Sequence, residues 1–253
     1  MLDIDLLGKR AVVTGGSRGV GRAVALMLGR AGARVGISYR SRHDDAASVV
    51  GELEQLGVPA WHHAGDLSAR DDVEELFGRA REEFDGIDIF VGNAGIWTPD
   101  HMPVTVMSDD QWHRTMSINL DSIFFCTREA ARMMSDEGRI VLISSTAGQR
   151  GEAGHADYAA SKGALISFVK GVAIELAGQG TTVNCVAPGW IDTEMAELPY
   201  ADGGRRKIEA GIPLGRVASV DDVAGPVIFL CSGYARHITG ETINVNGGSV
   251  MCG

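Results

Sequence analysis

Short runs of β-branched and apolar residues alternate along this chain with longer stretches whose apolar positions recur every three to four residues. Ala11-Val12-Val13 leads into a helical pattern over about 19–30, and Val35-Gly36-Ile37 into another over about 45–56. Ala60-Trp61-His62 precedes a helix over 71–84, and Ile87-Asp88-Ile89-Phe90-Val91 a long helix over 109–134. Residues 139–143 then precede a helix over 157–177, residues 182–186 one over 220–231, and Thr242-Ile243-Asn244-Val245 forms a last strand. A two-residue period marks strands and a 3.6-residue period marks helices, so the chain reads as seven strands separated by helices. Parallel strands need crossovers, and right-handed crossovers place helices on both faces of a sheet. The predicted class is therefore α/β: a Rossmann-type, doubly wound fold with a seven-stranded parallel sheet flanked by helices. No composition break or repeat divides it, so 1–253 is read as a single domain. Two stretches, about 97–108 and 190–213, keep neither period. Such segments in compact domains often form lids or binding loops, and the second is read as a substrate loop.

Composition narrows the function. An apolar share of 45% with 22% charged residues supplies a continuous core without disordered segments. Thirty-four glycines against seven prolines suggest tight turns and close backbone approaches to a ligand. A net charge of −10 repels phosphodiester backbones, and Arg205-Arg206-Lys207 is only a short basic run, so no nucleic-acid partner is expected. Cys126, Cys185, Cys231 and Cys252 lie far apart, without zinc or dithiol spacing, and read as reduced, mostly buried thiols. The seven histidines form no cluster of three or four ligands, so no metal is expected. Met1-Leu2-Asp3-Ile4-Asp5 lacks the basic start of a secretory signal, and no apolar run approaches the ~20 residues of a membrane span. The expectation is a cytoplasmic protein with no membrane partner.

The first strand runs directly into Thr14-Gly15-Gly16-Ser17-Arg18-Gly19-Val20-Gly21, which opens a helix. Glycines permit a tight turn that brings backbone to a pyrophosphate, and the helix amino terminus offers free N–H groups to it. A glycine string alone is often an ordinary turn; strand before and helix after are the context that favours a nucleotide. Arg18 in that turn and Tyr39-Arg40 at the end of the second strand then bear on which nucleotide. Enzymes using NAD place an acid there for the ribose 2′-hydroxyl, whereas a 2′-phosphate needs cations. Position 39 carries no acid, so NADP(H) is the preferred cofactor, with NAD(H) possible.

Tyr158 and Lys162 are four residues apart on a predicted helix and share one face. An isolated Tyr-x-x-x-Lys is ordinarily a surface pair. Beside a cofactor, an ammonium and a nicotinamide cation would instead favour phenolate. Lowering a phenol by about three units takes about 4 kcal/mol. Ser144-Ser145 follows the fifth strand at the carboxyl edge of the sheet, where open α/β sheets bind ligands.

The spacing Thr14-Gly15-x-x-x-Gly19-x-Gly21 resembles the short-chain dehydrogenase/reductase family, and further motifs follow in order over nearly the whole chain. Asp66-Leu67 resembles the family's adenine-contacting acid and its neighbour, and Asn93-Ala94-Gly95 its turn beside the cofactor. The resemblance implies a catalytic tetrad of Asn119, Ser145, Tyr158 and Lys162. Ser145 is chosen over Ser144 because the family's serine stands thirteen positions before its tyrosine. Tyr158 would be the proton donor in reduction, Lys162 would tune it and contact the nicotinamide ribose, and Asn119 would belong to a proton relay. Pro188-Gly189-Trp190-Ile191-Asp192-Thr193 resembles the segment holding the nicotinamide carboxamide through Ile191 and Thr193. Pairing of the helices around Asn119 and Tyr158 between subunits implies a homotetramer.

Within the family, Asn184-x-x-Ala187-Pro188-Gly189 and Gly240-Glu241-Thr242 through Gly248 are most similar to the 3-oxoacyl-carrier-protein reductase branch. The branch's basic carrier-docking positions read Asp136 and Gln179 here, against docking of an acidic carrier protein. The expected activity is reduction of a small-molecule ketone or 3-oxoacyl substrate. Polyol or sugar oxidation and a non-catalytic NADP-sensing module are the alternatives, though a sensing module would be expected to lose Tyr158 or Lys162. Trp97, Gln149, Arg150, His155 and Trp190 are the candidate substrate contacts.

Overall fold

The structure is a computed structural model in which residues 4–252 are described; residues 1–3 of the amino-terminal stretch read above, and residue 253, lie outside them. Seven strands, β1 (Arg10–Val13), β2 (Arg34–Tyr39), β3 (Ala60–Ala64), β4 (Ile87–Gly92), β5 (Met134–Ile143), β6 (Thr182–Pro188) and β7 (Thr242–Val245), form one sheet in the order β3-β2-β1-β4-β5-β6-β7. Every pairing is parallel. The chain builds outward from β1 to β3, then crosses back to begin β4 on the other side of β1. That reversal opens a crevice beyond the carboxyl ends of β1 and β4, the usual ligand position in such sheets.

The connections carry α1 (Gly19–Arg30), α2 (His43–Gln55), α3 (Arg70–Phe84), α4 (Asp109–Met116), α5 (Ser122–Met133), α6 (Thr146–Arg150), α7 (Ala156–Leu176), α8 (Glu197–Tyr200), α9 (Gly204–Ala210) and α10 (Val220–Cys231). Leu28 of α1, Leu53 of α2 and Val227 of α10 pack on one face of the sheet with Ala11 and Val13. Leu76 of α3, Cys126 of α5 and Leu165 of α7 pack on the other with Val12. Alternate β1 residues thus enter opposite cores, as a period of two requires when both faces are covered. Burial of a side chain such as Leu28 or Leu165, both fully enclosed, contributes about 1.5–3 kcal/mol, more than a helix cap supplies. The α10 boundary is nevertheless set by a cap: the Ser219 hydroxyl accepts the Asp222 N–H at 3.1 Å, and the Asp222 carboxylate accepts the Ser219 N–H at 2.8 Å.

Several elements depart from the sequence expectation, the short helix α6 among them. The helix expected over 109–134 is broken by a π-helical turn at Ser117–Asp121, which adds a residue without ending the helical ladder and so leaves little trace in the period. Strand β5 begins at Met134 rather than near Arg139, because Ser135-Asp136-Glu137 is polar and lies beside a register shift in β4, with Glu137 left-handed at φ 60°. The 190–213 stretch contains α8 and α9, short helices whose period Pro199, Gly203 and Gly204 conceal. Cys126, Cys185 and Cys231 are buried and Cys252 is exposed. Among the described residues no helix is long and apolar enough to cross a membrane.

Candidate active site

The turn after β1 is shaped by its glycines. Gly15 and Gly19 are left-handed, with φ of 65° and 55°. A Cβ on Gly21 would stand 2.2 Å from the Gly15 carbonyl oxygen, so α1 could not start so close to the turn with any other residue there. Thr14 and Asn93 lock this turn to the one after β4. The Thr14 hydroxyl accepts the N–H groups of Asn93 and Ala94 at 3.0 Å each, and the Asn93 amide donates to the carbonyls of Thr14 at 2.9 Å and Gly15 at 3.2 Å. Asn93 therefore acts through the backbone of the glycine turn.

The π-turn buries Asn119 completely and aims its amide at Ile96: Oδ1 accepts the Ile96 N–H at 2.7 Å, and Nδ2 donates to the Ile96 carbonyl at 2.9 Å. This two-point clamp fixes the strand of chain beyond Gly95. A Cβ on Gly95 would lie 3.1 Å from Asn119 Oδ1 and 3.2 Å from Lys162 Nζ, so the backbone passes close to these two groups only because no side chain intervenes.

After β5 the two serines separate in role. Ser144 donates to the Lys162 carbonyl at 2.7 Å and ties β5 to α7, whereas the Ser145 hydroxyl caps α6 by accepting the Ala147 N–H at 3.1 Å and lies beside Tyr158, where it favours the phenolate. Lys162 Nζ donates to the Ile143 carbonyl at 2.8 Å and lies 6.0 Å from the Tyr158 ring centroid. Burial pushes the Tyr158 phenol up to about 12, opposed by Ser145 and reinforced by the Glu152 carboxylate. Among the protein's own groups desolvation outweighs the stabilising neighbours, which favours a neutral phenol; the lowering expected above belongs to a nicotinamide cation beside it. Burial also brings Lys162 down to about 8. Asp157, on the same helix, is buried and accepts from Thr115 Oγ1 at 2.7 Å, which joins α7 to α4.

These groups sit at one end of a cleft of about 430 Å³. Its walls contain Gly15, Ser17, Arg18, Gly19, Val20, Tyr39, Arg40, Asp66, Leu67, Asn93, Ala94, Gly95, Ser145, Tyr158, Lys162, Pro188, Gly189, Ile191 and Thr193, together with Trp97, Arg150 and Trp190. Gly21 and Asn119 lie behind the wall. Gln149 does not reach the cleft because its amide donates to Asn244 on β7 at 2.5 Å. His155 is buried behind Trp97, with ring centroids 4.9 Å apart, and Trp97 meets Trp190 edge-on at 5.9 Å. Arg40, expected beside Arg18, turns to Asp66 at 3.0 Å. Hydrogen bonds from Ser68 hold the Asp66 carboxyl below its ordinary range against the effect of burial, and Arg40 adds to them.

Sequence reasoning missed Arg42, Glu152 and Glu194, all on the cleft wall. Glu152 is raised by burial, with His155, Arg150 and Trp97 opposing the shift. A charged residue beside the recognised motifs was the only available signal for any of them. The cleft suits an extended dinucleotide: glycine backbone is exposed for a pyrophosphate, cations gather at the β2 end, and Gly95 leaves room beside Lys162.

A family model described as enoyl-(acyl carrier protein) reductase matches residues 15–250. The chain belongs to the short-chain dehydrogenase/reductase family. A 3-oxoacyl-[acyl-carrier-protein] reductase of Synechocystis sp. is 39% identical, covering 97% of this chain and 98% of the relative. The enzyme of that description from Escherichia coli K12 is 40% identical, covering 96% and 98%. Among solved structures, a short-chain dehydrogenase/reductase of Brucella melitensis described as a glucose/ribitol dehydrogenase has a TM-score of 0.91 at 35% identity, over 98% of this chain and 99% of that one. A Burkholderia cenocepacia short-chain dehydrogenase in complex with NADP has a TM-score of 0.90 at 36% identity, over 96% and 98%. This short-chain dehydrogenase/reductase matches all four over nearly their full lengths and shares its fold with the two solved structures.

Proposed function

We propose that this chain is an NADP(H)-dependent reductase of a ketone or 3-oxoacyl substrate. The observation that carries this reading is the placement of Ser145, Tyr158 and Lys162 at one end of a cleft whose other end holds Arg18, Arg40 and Arg42. When bound, the dinucleotide supplies the hydride that goes to the carbonyl carbon. Tyr158 gives its phenolic proton to the carbonyl oxygen, so the product is the alcohol. Ser145 orients that oxygen, and the Lys162 ammonium lowers the cost of the phenolate left behind. Asn119 is a positioning residue that holds Ile96 and, through it, the chain past Gly95. Gly15, Ser17, Gly19 and Val20 would carry the pyrophosphate, Asp66 and Leu67 the adenine, and Ile191 and Thr193 the carboxamide.

One observation favours a second reading, oxidation of a polyol or sugar: Glu152 and Arg150 make the mouth of the cleft polar beside Trp97 and Trp190, a setting suited to hydroxyl groups. A purely cofactor-sensing role is disfavoured by the intact arrangement of Tyr158 and Lys162. The same reading takes 1–253 as one catalytic domain with its substrate loop at 190–213, four copies per assembly, and the cytoplasm as the place of work. Exposed Phe124 on α5 and Ile174 on α7 support pairing of those helices, and the free cysteines support a reducing compartment.

The test is a screen of NADPH and NADH oxidation with ketones and 3-oxoacyl thioesters, and of NADP+ and NAD+ reduction with alcohols and sugars. Turnover of a carbonyl substrate with NADPH favoured over NADH is expected. Tyr39→Asp should move the preference toward NADH, since the new carboxylate repels a 2′-phosphate. A native preference for NADH would reject the cofactor assignment, and turnover of sugars alone would replace the first reading with the second.

A further inference from the structure

Two cations converge on one carboxylate: Arg18, which the motifs pointed to, and Arg42, where they pointed to Arg40. Arg18, from the turn after β1, and Arg42, from the turn after β2, both reach the same oxygen of Glu194, Arg42 at 3.0 Å. Arg42 also reaches Asp45 at 3.6 Å. Glu194 belongs to neither turn: it directly follows Thr193, at the start of the 190–213 stretch. We propose that Glu194 is a tethered competitor for a phosphomonoester. Arg18 and Arg42 seat the cofactor's 2′-phosphate, and the phosphate expels Glu194 and releases the segment that lines the substrate end of the cleft. The inference rests on the NADP(H) reading above.

The charge balance decides which anion wins. Glu194 brings one negative charge and serves both guanidiniums through a single oxygen. A phosphomonoester brings about 1.5–2 charges and three acceptor oxygens, so each guanidinium can have its own. A 2′-hydroxyl brings no charge and leaves the carboxylate in place. All three side chains are about half exposed, at 51%, 50% and 48% for Arg18, Arg42 and Glu194. Ion pairs this wet are weak, and a ligand can displace one at little cost. Arg40 does not complete this seat, being paired with Asp66.

Displacement reaches the substrate because of what adjoins Glu194. The Thr193 methyl lies 3.6 Å from where a Gly19 Cβ would stand, so residues 193 and 194 rest directly on the glycine turn. The next two residues, Met195 and Ala196, line the cleft. Behind them the segment is fastened separately, by the Tyr200 hydroxyl donating to the Ile191 carbonyl at 3.0 Å and by Arg205 on Asp192 at 3.0 Å. Glu194 is thus a front latch on a segment already held at its rear. Opening it joins the adenosine end of the cofactor to the substrate pocket through two residues of chain.

The test uses the full chain and reads binding and backbone motion, not turnover. Affinities for NADP+ and NAD+ are measured by calorimetry for the native protein, Glu194→Gln and Arg42→Ala. Amide hydrogen exchange over 193–200 is followed with 2′,5′-ADP or 5′-AMP as probe. Glu194→Gln is expected to bind NADP+ about fivefold more tightly, the scale of one or two exposed ion pairs, with NAD+ affinity unchanged. In the native chain 2′,5′-ADP should speed exchange of 193–200 and 5′-AMP should not; in Glu194→Gln exchange should be fast without either. A native chain that prefers NADP+ by a factor that Arg42→Ala erases, but whose Glu194→Gln variant behaves as native in both measurements, overturns the latch and spares the cofactor assignment. Equal affinity of the native chain for NADP+ and NAD+ overturns both.

Discussion

Tyr158 and Lys162 titrate in the opposite order from their free counterparts. Burial holds the phenol at about 12 and brings the ammonium to about 8, so near neutral pH the pair is a neutral acid beside a mostly charged amine. That state suits carbonyl reduction, where the phenol must hold a proton until it is needed and the cation must be present when it leaves. Reduction should therefore decline as pH rises through about 8, where Lys162 loses its charge, and not near 12. A pH profile of kcat/KM checks this, and Lys162→Ala should abolish that limb while weakening cofactor binding. Tyr158→Phe keeps the packed ring and removes the proton, so kcat should fall by about 10²–10⁴-fold while the dinucleotide still binds. A variant that keeps native turnover would remove Tyr158 from its role.

At the scale of elements, the placement of Ser145 against Tyr158 depends on how closely α6 lies on α7. A Cβ on Gly148 would stand 2.5 Å from the Lys162 carbonyl carbon and 2.6 Å from the Gly163 nitrogen, both backbone atoms that cannot swing aside. Gly148→Ala should push α6 off α7 and carry Ser145 away from Tyr158. A cost of about 1–3 kcal/mol is expected for forced overpacking. Thermal unfolding should show a lower Tm, and kinetics a fall in kcat larger than any change in dinucleotide affinity, because the glycine turn lies elsewhere. Equal losses in both would mean that the substitution acts on the whole sheet.

How legible such arrangements are in sequence depends on the kind of order involved. The span of α10 and the strand β7 stand where periodicity put them, because both are set by local pattern: a Ser219 cap, an apolar face, a β-branched run. The motifs placed Tyr158, Ser145 and Lys162 in one cleft for a related reason, each being fixed to the end of a strand or the first turns of a helix. The π-turn at Asn119 was hidden because one added residue barely disturbs a 3.6-residue period. Gln149 bonding to Asn244, His155 stacking under Trp97, and Glu194 reaching Arg18 are long-range choices among several possible partners, and no local pattern records which is taken. The upward push of burial on Tyr158 was not legible because the sequence displays charged neighbours but not the depth of burial.

For the whole molecule the question is what kind of substrate carrier could approach. The chain carries a net charge of −10, and Asp136 and Gln179, both exposed, stand where a basic docking surface would be expected. In the run Arg205-Arg206-Lys207, Arg205 is already paired with Asp192 and Glu209, which leaves two free positions at most for an acidic partner. A 3-oxoacyl group on a carrier protein should thus be turned over no more efficiently than the same group on a small thioester. Comparing kcat/KM for the two at low and moderate salt tests this; a carrier advantage that collapses with salt would contradict it, since long-range attraction is screened at moderate ionic strength.

The sheet order has a further consequence, for synthesis. β1 is made first yet lies in the middle of the sheet, and α1 buries Leu28 in the same core as Val227 and Leu230 of α10. The first helix off the ribosome therefore carries an apolar face whose cover is almost the last helix to arrive, nearly two hundred residues later. Until then that face stands open to any other sticky surface in the cell, and exposed apolar surface of this kind is what chaperones bind and what drives aggregation. A ribosome that stalls before α10 holds a chain that already carries Asn119, Ser145, Tyr158 and Lys162 and has no means of closing its own core.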